Sequence, residues 1–115
     1  MQYLVLIYSE EPETPEEPTP EMMAPWFEYD RALKEAGVFL GGEALLPSTT
    51  ATTIRGTGEA AVITDGPFAA TREALGGFYL IQCDDIDEAI RWGKQCPAAA
   101  YGAIEVRPIM SLPDE

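Results

Sequence analysis

Residues Tyr3 to Tyr8 read YLVLIY, an unbroken run of apolar and aromatic side chains between Gln2 and Ser9. In a strand, successive side chains leave on opposite faces. Tyr3, Val5 and Ile7 therefore share one face, and Leu4, Leu6 and Tyr8 share the other. A segment with no polar face needs cover on both sides, or cover on one side and an association surface on the other. Any architecture for this chain has to meet that demand.

The rest of the chain limits the cover available. Residues 9–20, SEEPETPEEPTP, form an acidic, proline-rich loop that excludes regular structure. Pro20-Glu21 suits a helix start with Thr19 as its cap. Met22, Trp26, Tyr29, Leu33 and Ala36 then recur at helical spacing, and Met23 and Phe27 widen the stripe. The pattern predicts an amphipathic helix of about four turns, closed by Gly37. Val38 to Leu46 reads as a strand, broken at Gly41-Gly42 by a bulge or a close crossing. Thr50 to Arg55 and Glu59 to Thr64 flank Gly56-Thr57-Gly58, which predicts a hairpin over residues 50–64. Gly76 reads as turn, and Gly77 to Cys83 as a strand. Asp84 to Glu88 supplies a cap and an acidic first turn for a second helix. Its buried side is expected to be Ile86, Ala89, Ile90 and Gly93, and Pro97 stops it. Ala103 to Ile109 is the last strand, followed by the polar tail SLPDE.

The order is β-α-β, hairpin, β-α-β. Set the hairpin aside and this is a split βαβ repeat: an α+β, ferredoxin-like single domain over residues 1–115. Two helices cover one face of such a sheet, and the tail is too short to cover the other. A homodimer joined through its sheet faces is the expected answer.

Composition narrows the chemistry. A net charge of −13 repels phosphate backbones, so a nucleic-acid partner is not expected. Histidine is absent, which removes the side chain best suited to proton transfer near neutrality and the commonest nitrogen ligand for metals. Acid–base work would fall to carboxylates, tyrosine, lysine or cysteine. Cys83 and Cys96 form neither a disulfide framework nor a metal motif, and no cofactor or metal is expected. No apolar run approaches the roughly 20 residues that span a bilayer, and the start lacks signal-peptide character. The expectation is a cytoplasmic protein with no membrane partner.

Several residues stand out as site candidates. Asp65, in Asp65-Gly66-Pro67-Phe68, either builds its turn by accepting backbone amides or is a reactive acid mounted on a rigid bend. In the turn-building reading Pro67 stiffens the bend and Phe68 anchors it. Glu43, inside an apolar strand, is a candidate general base if it is drawn into low dielectric. Arg72 either grips a substrate carboxylate or balances nearby acids. Tyr8, Trp26 and Tyr79 are candidate pocket residues, though aromatic side chains are mainly core or interface material. Arg107 and Glu105 are expected together on a salt-linked edge or interface. Cys83 reads as packing, and Cys96 is not expected to be a nucleophile.

Taken together, MQYLVLIYSEE, GGEALLPSTTATTIR and DGPFAATREALGGFYLIQCDDIDEAIRWGKQCPAAAYGAIEVRPI resemble the YCII-related family, in its DGPF-domain branch. The resemblance implies a ferredoxin-like chain paired as a dimeric α/β barrel, and a bacterial source. It also implies a setting near extracytoplasmic-function sigma factors. The signature matches at Asp65 to Phe68, with Thr71, Glu73 and Gly76-Gly77 behind it. The parent group includes members with a proposed histidine–aspartate pair, which this chain cannot supply. The combined expectation is a dimeric module that binds a small anionic or carbonyl ligand or serves regulation. The alternative is a lyase, isomerase or cofactor-free oxygenase working through Asp65 and Glu43.

Overall fold

The computed structural model describes residues 1–14 and 16–113. Pro15 of the acidic loop, and Asp114 and Glu115 of the expected tail, lie outside the described residues. Along the chain run β1 (Gln2–Glu10), α1 (Pro20–Glu35), β2 (Phe39–Ala44), β3 (Thr52–Arg55), β4 (Val62–Asp65), β5 (Glu73–Gln82), α2 (Ile86–Gln95) and β6 (Ala103–Pro108). One four-stranded sheet has the order β2-β5-β1-β6, antiparallel at every step. β3 and β4 pair as a separate ribbon. With that ribbon set aside, the α+β order is compatible with the ferredoxin-like pattern.

Both helices are started by residues close in sequence. The Thr19 hydroxyl accepts a hydrogen bond from the Met22 amide at 3.2 Å, and Pro20 opens the helix. The Asp85 carboxylate accepts from the Glu88 amide at 2.9 Å, while the Glu88 carboxylate accepts from the Asp84 amide at 2.7 Å. These bonds satisfy donors that a helix leaves unpaired at its start.

Two features depart from the sequence reading. β5 begins at Glu73, so Gly76-Gly77 lie within a strand and not in a turn. Crowding explains Gly77: a Cβ there would stand 2.9 Å from the Glu43 carbonyl oxygen of β2. The β1–β5 register also slips there, between the pairs Ile7–Gly77 and Tyr8–Leu75. On α2, Ala89 and Gly93 are buried, but Ile86 and Ile90 are 39% and 40% exposed. The helix sits close on β6 at Gly93, where a Cβ would come 3.2 Å from Val106 Cγ2. Its isoleucines are left along an open groove beside that edge strand.

The core lies between the helices and one face of the sheet. It contains Tyr3, Val5 and Ile7 of β1, Ile81 of β5, and Tyr29 and Leu33 of α1. On the opposite face the register sets Leu80 beside Leu4 and Leu4 beside Arg107. The next row runs Glu43, Phe78, Leu6, Glu105. Leu4, Leu6, Tyr8, Phe78 and Leu80 are only partly buried. The least dimension of the molecule is 19 Å, about one sheet plus one helix layer at ~10 Å spacing, which leaves no depth for a third layer.

The plate is wide as well as thin. It spreads 46 by 44 Å, with a radius of gyration of 16.2 Å; a compact chain of this length would have roughly 13 Å. Among the described residues, no helix is long and apolar enough to cross a membrane.

Candidate functional site

A cleft of about 330 Å³ opens between the first half of α1 and strands β1, β2 and β5. Its size is at the lower end of small-molecule sites, which run from roughly 300 to 1,000 Å³. Met23, Trp26 and Asp30 reach it from the helix, because residues three and four apart share a helical face. Tyr79 reaches it from the sheet because it pairs with Val5, whose side chain lies on the helix side. Gly42 makes room for the phenol: a Cβ there would stand 2.9 Å from Tyr79 Cδ1 and 2.8 Å from the Phe78 carbonyl oxygen. Ser9 and Tyr101 complete the polar lining.

The Tyr79 ring is held on two sides. It meets Tyr29 edge-on at 5.3 Å and 81°, and Phe39 at 6.2 Å and 70°. The Tyr29 hydroxyl is committed to the Trp92 carbonyl oxygen, to which it donates at 2.8 Å. The Tyr79 hydroxyl has no hydrogen-bond partner among the described residues, and no polar side-chain atom is left both buried and unsatisfied. A phenol placed in this way is available to a ligand. Burial, with Asp30 adding to it, pushes the Tyr79 phenol up to about 12. It is therefore a neutral hydrogen-bond donor across the physiological range.

That shift also predicts alkaline behaviour. The folded state holds the Tyr79 proton more tightly than the unfolded chain, whose phenol titrates near 10. The associated stability is complete below about pH 10 and is lost as pH rises toward about 12. Burial raises the Tyr29 phenol as well, and it acts in the same direction. Denaturant titrations across this window are expected to show a steep fall in stability, and Tyr79→Phe is expected to make that fall shallower.

Asp30 is the cleft carboxylate that the sequence reading missed. Its Oδ2 lies 2.8 Å from Lys34 Nζ, one turn further along α1. Lys34 Nζ also sits 4.9 Å from the centre of the Phe39 ring. The spacing Met23, Trp26, Asp30 was the available signal, since it continues the stripe that carries Trp26.

The sequence candidates divide by position. Trp26 and Tyr79 come together at the cleft; Glu43, exposed on the edge strand β2, borders it but pairs with Phe78 on the face away from the helices. Tyr8 lies on the opposite face of the sheet, where its hydroxyl donates to Glu105 Oε1 at 3.3 Å. Glu105 also binds Arg107 at 2.7 Å, giving the salt-linked edge expected for that pair. Arg72 is exposed and donates from Nε to Glu10 at 2.6 Å. Asp65 is exposed at the foot of the β3–β4 ribbon, opposite Thr52.

Among the described residues, no backbone amide donates to the Asp65 carboxylate to build its turn. The turn is closed by the Gly66 amide on the Ala51 carbonyl at 2.7 Å and by the Thr53 hydroxyl on the Gly66 carbonyl at 2.8 Å. Gly66 sits at φ +106°, a conformation that a residue with a side chain adopts only under strain. Phe68 is not a buried anchor either; it is 71% exposed, with the Arg55 guanidinium 4.6 Å from its ring centre. Cys83 and Cys96 are buried, and burial raises both thiols, which keeps them protonated and suited to packing. Among the described residues, no group of three or more metal-ligating side chains comes together.

A family model described as the YCII-related domain matches residues 1–113. An uncharacterised protein of Rhizobium meliloti (strain 1021) is 37% identical over 114 residues, covering 95% of this chain and 92% of that protein.

Proposed function

The chain belongs to the YCII-related family, and from that premise we propose that it is a dimeric small-molecule-binding module. Its ligand is a flat, neutral molecule carrying a carbonyl or another oxygen acceptor. The observation that carries this reading is the unpartnered Tyr79 hydroxyl beside Trp26 in the cleft. The ring of Trp26 offers a stacking surface, and the phenol offers one directed hydrogen bond. The lining includes the Asp30 carboxylate, and neither arginine nor lysine is part of it. In a chain of net charge −13 such a cleft disfavours carboxylate or phosphate ligands. Asp30 is held by Lys34, which favours holding a ligand over cycling a proton.

Pairing is supported by the uncovered apolar face. Leu4, Leu6, Phe78 and Leu80 form its centre, with Glu43 on one edge and Glu105 and Arg107 on the other. An apolar centre with a charged rim is the usual anatomy of a protein interface. Two copies joined there would stack helix, sheet, sheet, helix, with the sheets ~10 Å apart.

Ligand-observed NMR with a panel of neutral aromatic carbonyl compounds tests the binding reading. Wild-type protein is expected to bind members of the panel. Tyr79→Phe is expected to weaken binding about fivefold, the worth of one hydrogen bond, and Trp26→Ala by about tenfold or more. No binding to the wild type, or binding that both substitutions leave unchanged, would refute it.

A further inference from the structure

We propose that the cleft reads one edge of a flat cyclic amide: the Tyr79 hydroxyl donates to its carbonyl oxygen, and Asp30 accepts its ring N–H. The inference rests on the small-molecule reading above and names the ligand class for it.

A donor and an acceptor stand together at one end of the cleft, and neither is used up by the protein. Asp30 and Tyr79 both line it. Lys34 Nζ lies 2.8 Å from Asp30 Oδ2 and 4.9 Å from the centre of the Phe39 ring, which meets Tyr79 edge-on at 6.2 Å. Tyr29, the neighbour of Asp30 on α1, meets the Tyr79 ring at 5.3 Å. These contacts tie the carboxylate and the phenol to the same corner. Burial first, and then the charge of Asp30, raise the Tyr79 phenol, an influence that fades with distance. Yet the two groups do not bond to each other. Among the described residues, neither Asp30 Oδ1 nor the Tyr79 hydroxyl has a hydrogen-bond partner.

Lys34 decides what kind of donor Asp30 takes. It already supplies the counter-charge for the carboxylate, and it does so from outside the cleft lining. A cationic ligand is not called for, and a neutral N–H completes the carboxylate with a charge-assisted hydrogen bond. The matching ligand therefore offers an acceptor to Tyr79 and a neutral donor to Asp30, side by side. An open-chain secondary amide is trans and points its N–H and C=O to opposite sides. In a small ring the amide is cis, and the two groups share one edge. A lactone of the same outline presents acceptors alone.

The rest of the cleft suits the body of such a molecule. Trp26 and Met23 stand one and two turns before Asp30 on α1, a run of about 10 Å. Gly42, Gly76 and Gly77 line the sheet side and put no side chain into it. An indole on one wall and bare backbone on the other favour a fused, planar two-ring system.

Ligand-observed NMR on the full chain tests this with three neutral probes of one shape. Carbostyril is a fused two-ring cyclic amide, its N-methyl derivative lacks the N–H, and coumarin has a ring oxygen in its place. All three keep the carbonyl that Tyr79 addresses. Carbostyril is expected to bind at least about tenfold more tightly than either of the others. Asp30→Ala should reduce that ratio to about twofold or less, whereas Tyr79→Phe should weaken all three and leave the ratio. The comparison of probes on unaltered protein stands whether or not a variant folds. Equal binding of the three, a ratio that survives Asp30→Ala, or binding confined to other carbonyl compounds of the panel overturns the amide-edge inference alone. Wild-type protein that binds no member of the panel overturns the small-molecule reading, and this inference with it.

Discussion

Replacing Leu6 with aspartate is expected to turn the proposed dimer into a monomer that keeps its fold. Leu6 lies in the central strand β1, between Phe78 of β5 and Glu105 of β6, on the face away from the helices. Burying a leucine side chain is worth ~1.5–3 kcal/mol, and two-fold symmetry places the substitution twice in one interface. An aspartate there also brings two like charges toward each other in a desolvated centre, which costs several kcal/mol more. Together these raise the dissociation constant by about a thousandfold or more. Sedimentation velocity checks the mass, and far-ultraviolet circular dichroism checks that secondary structure survives. A variant that still sediments as a dimer at wild-type affinity would show that this face is not the interface.

The other large effect concerns the helix that forms one wall of the cleft. Leu33→Ala is expected to cost ~3–5 kcal/mol, because Leu33 is 0% exposed and its loss leaves a cavity between α1 and the sheet. A domain of this size has about 5–15 kcal/mol of net stability, so the melting temperature should fall by roughly 10 °C or more. Ligand binding should weaken with it, since Trp26 and Asp30 stand on the same helix. Phe27→Ala is the comparison. Phe27 is 64% exposed on α1, and its removal should stay within ~0.5 kcal/mol. Equal losses from both substitutions would mean that α1 does not pack as described.

The elements were largely legible in the chain. Thr19, Pro20 and Gly37 mark the ends of α1, and Asp85 marks the start of α2, because capping acts over three or four residues. The hairpin was legible because glycines and β-prone runs alternate locally. The two central residues of the cleft, Trp26 and Tyr79, were named individually for the same kind of reason. Asp30 was not, although it stands one turn beyond Trp26. Its importance depends on Tyr79, which is distant in sequence.

YLVLIY alone demanded cover for both faces of β1, and turn, cap and breaker residues set the order of elements around it. Alternation fixed which β1 side chains share a face, but which of the two faces meets the helices was decided only by the tertiary packing. Tyr79 pairs with Val5 and turns toward the helices, whereas Tyr8, alternating with Val5 and Ile7 along β1, turns away to Glu105. Within β5, the one-residue slip at Gly76 reverses facing, and it sits where strands remote in sequence crowd one another at Gly77. Likewise, the local pattern specified that a hairpin forms, but the contacts at its root, Ser48 to Glu11 and Arg72 to Glu10, join segments remote in sequence. Local structure follows from short-range bonds and sterics, while facing and placement follow from contacts between segments the chain brings together only on folding.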